Sequence, residues 1–293
     1  MPRNTVHARG QALSIGLVAW DGRVLMWREG RYVELAGAGF DPKQALRTAD
    51  GVLVVGADDV VLVREDGRVD KLPGRVDFAR VAPGGHSAAG LADAGGGRAQ
   101  MTFWDLAHGH THTLTWSKKG TPAISSVRAD SVVLHQLEAK AGEHYFTWDV
   151  TGGGLVAVPA PQVPPLLLNH SAAQSAVSRG GVPILILPPF LDIIFSPDET
   201  YAVSLDSSAS QLAIYDLTVD DPQASRSVVT LPEHACLRVP HLPTWEDAQT
   251  LLVWERPRRP PYRMLRVDLA RGRIEAVPLP VDEGVLIEPL PAT

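Results

Sequence analysis

Apolar residues recur at every second position within short stretches of this chain, and Gly, Pro, Asp and Ser separate the stretches. Successive stretches begin about 8–12 residues apart, which is the rhythm of short antiparallel strands. Clear examples are residues 13–20, 52–55, 60–63, 101–104, 145–148, 201–205 and 251–254. Helical spacing is nearly absent, and only residues 245–250 suggest a short helix. The pattern predicts an all-β protein, either a sandwich, a barrel or a propeller.

Two segments near the N-terminus resemble each other. Residues 16–35 (GLVAWDGRVLMWREGRYVEL) and 51–72 (GVLVVGADDVVLVREDGRVDKL) each contain three predicted strands joined by tight turns. Their matching Gly-Arg pairs are 37 residues apart. Self-similarity at such a period indicates small structural units that repeat along the chain.

A second repeat places an aspartate between two apolar residues at the end of a predicted strand. It occurs as Trp104-Asp105-Leu106, Trp148-Asp149-Val150, Tyr215-Asp216-Leu217 and Val267-Asp268-Leu269. The aspartates are 44, 67 and 52 residues apart, and the first and last intervals each suit one four-stranded sheet. The middle interval suits one overlong sheet or a full sheet plus a truncated one, and we favour an abbreviated sheet at residues 166–187.

Two turns strengthen this repeat, because FSPDETY (residues 195–201) and VAPGGHS (residues 81–87) each lie about two strands before an aspartate of the motif. Together these features resemble the WD40-like and TolB-like repeat propellers of bacteria. Blades of that family carry a Ser-Pro-Asp-Gly turn and end their third strand in Trp-Asp or Tyr-Asp. The resemblance covers residues 76–280 by motif and the N-terminal part by strand rhythm alone.

This resemblance implies a β-propeller of six or seven blades, with seven favoured, in a single domain over residues 1–293. A small sheet that is apolar on both faces cannot stand alone, and closure into a ring gives each sheet two neighbours. We expect the apolar strand within residues 284–290 to pair with the N-terminal blade and close the ring. Residues 1–10 and 291–293 are expected to fray.

The charge, cysteine content and hydrophobicity of the chain indicate which kinds of partner and cellular location to expect. The 293-residue chain has a formal charge of −6 and therefore no global basic field to attract nucleic acid. Its single cysteine, Cys236, forms no intrachain disulfide, so a reducing compartment is expected, and Cys236 is interpreted as a small buried apolar residue. No stretch of the roughly 20 apolar residues that cross a bilayer is present. We predict a bacterial cytoplasmic protein that binds neither nucleic acid nor membranes.

Three histidines alternate directly after the first Trp-Asp pair: His108, His110 and His112. Residues two apart on a strand share a face, so their imidazoles could together bind zinc or nickel. The alternative interpretation is a solvated surface turn. No cofactor is predicted beyond this candidate metal.

A basic segment lies between the predicted strands that end at Trp254 and begin near Met264. Arginine and tyrosine frequently anchor protein or phosphate contacts, and its prolines lower the entropy lost on ordering. The alternative is a solvated charged loop. The candidate partner-binding residues are Arg256, Arg258, Arg259, Tyr262 and Arg263.

No catalytic residue is predicted, because the chain has no G-x-S-x-G motif and no serine with a recognisable His and Asp. The leading hypothesis is a non-catalytic protein-interaction scaffold or adaptor subunit. One alternative is a lyase or lactonase whose metal lies over the central channel. A second alternative is a sensor that binds a small molecule in that channel.

Overall fold

β-Strands make up the regular secondary structure of the residues that the structure describes. The computed structural model describes residues 17–19, 22–28, 31–95, 98–118, 122–138, 142–159, 166–170, 174–179, 182–189, 192–196, 198–206, 211–232, 235–236, 244–255, 263–277 and 287–289. The prediction of an all-β protein is confirmed. Among these residues no helix is long and apolar enough to cross a membrane.

The described strands lie in seven antiparallel sheets, numbered here in chain order. Within a sheet consecutive strands pair with each other, except that the first two strands of sheet 7 both pair with the third. Sheet 1 contains β1 (Leu17–Ala19), β2 (Arg23–Arg28) and β3 (Arg31–Gly37). Sheet 2 contains β4 (Gln44–Thr48), β5 (Gly51–Val55), β6 (Val60–Arg64) and β7 (Val69–Leu72). Sheet 3 contains β8 (Phe78–Val81), β9 (Ser87–Gly95), β10 (Arg98–Asp105) and β11 (His110–Trp116). Sheet 4 contains β12 (Ala123–Val127), β13 (Ser131–Glu138), β14 (Gly142–Asp149) and β15 (Leu155–Val158).

The remaining sheets come from the second half of the chain. Sheet 5 contains β16 (Leu166–His170), β17 (Ser175–Arg179) and β18 (Val182–Leu187). Sheet 6 contains β19 (Asp192–Phe195), β20 (Tyr201–Asp206), β21 (Gln211–Asp216) and β22 (Ser227–Thr230). Sheet 7 contains β23 (Ala235–Cys236), β24 (Thr244–Trp245), β25 (Thr250–Glu255), β26 (Arg263–Asp268) and β27 (Arg273–Val277). A last strand, β28, spans Ile287–Pro289.

These sheets belong to two compact units. The first, residues 17–28 and 33–165, holds β1, β2, most of β3 and sheets 2 to 4, and the second, chiefly residues 166–292, holds sheets 5 to 7. The blade count and the closure of a ring by the C-terminal strand stay predictions, as does the single domain over residues 1–293. The expected fraying at residues 1–10 and 291–293 falls outside the described residues.

The core lies between neighbouring sheets, as expected for sheets that are apolar on both faces. Leu53 and Leu62 of sheet 2 pack with Trp104 of sheet 3, while the other face of sheet 3 packs its Phe103 against sheet 4. Phe103 and Trp148 meet edge to face with ring centroids 6.5 Å apart. In the second unit sheet 6 lies between sheet 5 and sheet 7 in the same way. Each shared layer therefore stabilises two sheets at once.

The Trp-Asp motif marks the end of the third strand, as predicted. Its aspartates close β10, β14 and β21 of sheets 3, 4 and 6, and the equivalent strand β26 of sheet 7. The residue after the aspartate donates a backbone hydrogen bond to the turn before the second strand, as Leu106 does to the carbonyl of His86 at 2.9 Å. The aspartates accept bonds from the turn that follows: Oδ1 of Asp149 accepts from the backbone N–H groups of Thr151 and Gly152 at 3.0 and 2.9 Å. The motif therefore ties two turns together at one end of each sheet.

One sequence expectation is wrong: residues 245–250 form no helix. Trp245 ends β24, and the backbone N–H of Glu246 donates to the carbonyl of Thr250 at 2.9 Å, which begins the hairpin to β25. Oδ1 of Asp247 accepts from the N–H of Gln249 at 2.8 Å. A side chain that bonds its own backbone two residues on stabilises a turn and competes with helix formation.

The turns before the second strands use a left-handed residue at the same position. In sheet 3 this residue is Gly85 (φ 75°), whose N–H donates to the carbonyl of Ala82 at 2.9 Å. In sheet 6 it is Glu199 (φ 57°), whose N–H donates to Ser196 at 2.9 Å. Gly85 also contacts sheet 2, because its carbonyl accepts from the N–H of Ala49 at 3.1 Å. An added Cβ at Gly85 would lie 2.2 Å from that nitrogen.

We predict that Gly85→Ala lowers the free energy of unfolding by about 2–4 kcal/mol, since it combines left-handed strain with a clash between two sheets. Gly109→Ala is the matched control, because Gly109 has the same φ of 75° and nothing within 4 Å of an added Cβ. That control should cost only about 1 kcal/mol. Urea unfolding of both variants measures the difference, and equal losses would contradict a close approach of sheets 2 and 3 at this turn.

A second prediction concerns how the stability of the fold depends on pH. Hydrogen bonds donated by the backbone N–H of Gly152 and by the side-chain hydroxyl of Thr151 lower the pKa of Asp149 from its ordinary 3.8. A lowered folded-state pKa adds stability above about pH 4 that disappears as the pH falls through the lowered value. Asp149→Asn should therefore melt below the wild type at neutral pH, and the difference in Tm should shrink below about pH 4. A difference in Tm that stays constant over this pH range would show that the charge of Asp149 has no role.

Candidate partner-binding surface

The three candidate metal ligands lie on the turn after β10 and on β11. Nδ1 of His108 is 2.8 Å from Oδ2 of Asp105, and the rings of His108 and His110 stack with centroids 6.3 Å apart. His112 instead packs edge to face against Phe103, with centroids 6.4 Å apart. In the described part of the chain, no three His, Cys, Asp or Glu side chains are grouped so as to hold a metal ion.

The carboxylate of Asp105 belongs to the same turn. Its partial burial would raise its pKa, but hydrogen bonds from the backbone N–H and ring of His108 outweigh this and lower the pKa below 3.8. His108 thus contacts the motif aspartate, and this contact orders the turn. A metal at His108, His110 and His112 stays a prediction.

The basic segment is described only at its end. Arg256, Arg258, Arg259 and Tyr262 lie outside the described residues. Arg263 begins β26, and its Nη2 is 2.6 Å from Oε2 of Glu255, whose side chain is buried. Most of the charge of Arg263 is therefore balanced within sheet 7.

A second buried carboxylate of sheet 7, that of Glu246, accepts two hydrogen bonds from one arginine. The guanidinium of Arg266 donates to both carboxylate oxygens of Glu246, from Nε at 2.6 Å and from Nη2 at 2.8 Å. Both side chains are largely buried, and the bonds to Glu246 raise the pKa of Arg266 further above its usual range. No local pattern predicts this pair, because the two residues are 20 positions apart and lie in no recognisable motif. The pair joins the turn after β24 to β26.

We predict that Glu246→Gln lowers the free energy of unfolding by about 3–5 kcal/mol, because it leaves a desolvated guanidinium without its carboxylate. Asp66→Asn is the control, since Asp66 and Arg68 form an exposed ion pair at 2.7 Å. The control should change stability little, because water screens an exposed pair. Chemical unfolding tests this, and equal effects of the two variants would contradict a structural role for the buried pair.

A shallow groove of about 550 Å³ lies in the first unit, at the turn after β5 and the segment after β7. Trp104 holds the backbone of the segment after β7 in place, because its Nε1 donates a hydrogen bond to the carbonyl of Pro73 at 2.8 Å. The charges along it compensate one another: Nζ of Lys71 is 2.5 Å from Asp59, and Arg75 is 3.7 Å from Asp58. Such a groove has no excess charge with which to select an ion.

Exposed apolar side chains follow a different pattern. Seven large apolar residues of the described chain are exposed, and five of them lie on the last strand of their sheet. The five are Val69 of β7, Val156 of β15, Val182 and Ile186 of β18, and Val228 of β22. Within each unit the last strands of the sheets therefore carry most of the exposed large apolar side chains of the described residues, and these strand faces are here called the outer-strand surfaces.

β18, the last strand of sheet 5, carries the most exposed of these apolar side chains. Val182 and Ile186 are 63% and 50% exposed, whereas Leu185 and Leu187 are buried against sheet 6. Sheets 2, 3, 4 and 6 each have four strands, but sheet 5 has three, and β17 is the one described partner of β18. Sequence reasoning found the abbreviated sheet at residues 166–187 and missed its open edge, because an apolar strand is usually interpreted as buried.

Comparisons with known proteins support the fold alone. No family model matches this chain, and no curated protein matches its sequence. Among solved structures, TolB from Acinetobacter baumannii is 10% identical with a TM-score of 0.51, over 97% of this chain and 68% of that one. The AfRom2 CNH domain is 9% identical with a TM-score of 0.53, over 91% of this chain and 99% of its own.

A protein of unknown function from Desulfotomaculum acetoxidans DSM 771 is also similar, at 10% identity and a TM-score of 0.53. It is covered over its full length and matches 96% of this chain. At these identities the likeness carries no activity and no partner across. It shows that the chain has a divergent β-propeller fold of the TolB-like type.

Proposed function

We propose that this chain is a non-catalytic protein-interaction module that acts as a scaffold or adaptor subunit. The observation that carries the proposal is the exposure of apolar side chains on the outer-strand surfaces of each unit. A single exposed valine is ordinary, but repeated exposure at the same place in four sheets needs a common explanation. Apolar side chains presented along strands are suited to contacts that exclude water from a protein interface.

The charged groups fit this role. Glu246 with Arg266 and Glu255 with Arg263 are pairs whose acidic members are buried. The first pair joins the turn after β24 to β26, and the second joins the neighbouring strands β25 and β26. The turn aspartates bond to their own turns. These ionisable groups stabilise a rigid support, and rigid supports reduce the entropy lost when a partner binds.

Two predicted features extend the proposal. The basic segment with Arg256, Arg258, Arg259 and Tyr262 is a second proposed contact with the partner. A cytoplasmic location is proposed from the single cysteine and from the lack of long apolar stretches in the sequence.

The proposal predicts that tagged protein purified from its host retains a stoichiometric protein partner, and that the complex re-forms from the two purified proteins. One of two double variants, with lysine at Val69 and Val156 in the first unit or at Ile186 and Val228 in the second, should weaken the reconstituted complex about tenfold or more, because charges would be buried at the interface. Calorimetric titration measures the affinities of the wild-type and variant proteins for the partner. Val219→Lys is the control, since Val219 is 42% exposed but lies on a turn.

Two results would contradict a non-catalytic scaffold. One is a purified protein that carries stoichiometric zinc, calcium or manganese and hydrolyses or eliminates a substrate through it. The other is a protein that re-forms a complex with no purified candidate yet is stabilised by a metabolite, which would favour the sensor hypothesis.

A further inference from the structure

The open edge of sheet 5 has a specific backbone consequence. A strand at the edge of a sheet presents N–H and C=O groups that a further strand can satisfy. β17 pairs with β18 from Ser175 opposite Leu187 to Arg179 opposite Val182. Among the described residues no strand pairs with the other side of β18. No described strand therefore occupies the fourth-strand position of sheet 5, which a backbone in an extended conformation would fit.

The edge is divided by an irregularity. The register shifts between Val177 and Ser178, so that Ile184 is an extra residue in β18 without an opposite partner. Pro183, next to it, has no N–H to donate. A proline and a bulge are features that limit uncontrolled pairing at a sheet edge. Regular pairing resumes at Leu185, and the usable edge is therefore Leu185–Leu187, with the exposed Ile186 at its centre.

The charge and polarity of this edge restrict the partner. Residues 182–189 (VPILILPP) carry no charge, and Pro188 and Pro189 are exposed beside the strand. The nearest described basic side chain on β17, Arg179, lies 3.8 Å from Glu199. A charged peptide would lose hydration here without finding an opposite charge. The edge therefore favours an uncharged segment with apolar side chains.

A second copy of this chain fits the edge poorly. A standard interface buries about 800 Å² per partner with some 20–30 residues, or roughly 30 Å² per residue. The six residues of β18 would then bury only about 200 Å², about a quarter of what a stable dimer needs. Two copies would also bring together two chains that each carry a formal charge of −6.

We propose that β18 binds an extended, uncharged, apolar segment of a partner protein, which adds to sheet 5 as its fourth strand along Leu185–Leu187. This inference deepens the proposed function and rests on it. The fourth strands of sheets 2, 4 and 6 are four residues long, so a segment of that length fills the position. Backbone hydrogen bonds supply the affinity, and contact with Ile186 supplies the preference for apolar side chains.

The test uses the full chain and a capped peptide of eight alternating valine and threonine residues. Added in excess, the peptide should slow hydrogen exchange at one or more backbone amides of Leu185–Leu187, measured by NMR. A peptide N-methylated on every second residue, on the edge that faces β18, should not slow exchange, while methylation on the opposite edge should leave the effect intact. This pair separates backbone pairing from simple apolar contact.

Ile186→Lys is the matched variant and should weaken peptide binding about tenfold or more, with Tm unchanged because Ile186 is exposed. Val219→Lys, which introduces the same charge at similar exposure on a turn, should bind as the wild type does. Unchanged exchange at Leu185–Leu187 in excess peptide would overturn the proposal. A concentration-dependent dimer that Ile186→Lys abolishes would also overturn it, because the occupant would then be a second copy.

Binding of a host protein partner tests the proposed function separately from strand addition at β18. If a reconstituted host partner binds Ile186→Lys and the wild type equally, the strand-addition site is wrong and the scaffold proposal stands. If the peptide pairs with β18 but no protein complex can be reconstituted, the edge accepts strands and the scaffold proposal fails.

Discussion

Face-to-face packing of small sheets is the constraint on which this structure depends. A sheet of three or four short strands with apolar residues on both faces is unstable unless both faces are covered. Sheet 3 meets this requirement with Trp104 on one face and Phe103 on the other, and sheet 6 is covered by sheets 5 and 7. The strands can remain short because stability comes from the shared layers rather than from any single sheet.

The same constraint explains why the recognisable motifs are structural. Once the faces are used for packing, the turns must fix the distance and angle between strands, and Asp105 and Asp149 do this by bonding to the turns that follow them. Trp104 has a second task, because its indole N–H holds the segment that connects sheet 2 to sheet 3. A motif that recurs in sheets 3, 4, 6 and 7 thus has a structural role in how these sheets are built.

Local patterns predicted what depends on local chemistry. Strand alternation, the aspartates at the ends of third strands and the abbreviated sheet at residues 166–187 were all predictable from spacing. The prediction of a short helix at residues 245–250 was wrong. These residues form a hairpin turn in which Asp247 accepts a hydrogen bond from Gln249, and the neighbouring strand that stabilises the hairpin is not apparent from a few consecutive residues. The Glu246–Arg266 pair was invisible for a related reason: only the folded sheet brings these residues together.

The open edge of β18 shows where such prediction ends. In sequence, VPILIL has the composition of a buried strand, and its burial depends on whether another strand lies beside it. Val182 and Ile186 are exposed on this outermost described strand of sheet 5, while Leu185 and Leu187 are covered by sheet 6. The same strand therefore stabilises the fold through one set of side chains and leaves another set free to bind. Because of that division we expect lysine at Ile186 to leave sheet 5 folded, whereas a charge at Leu185 would disrupt its core.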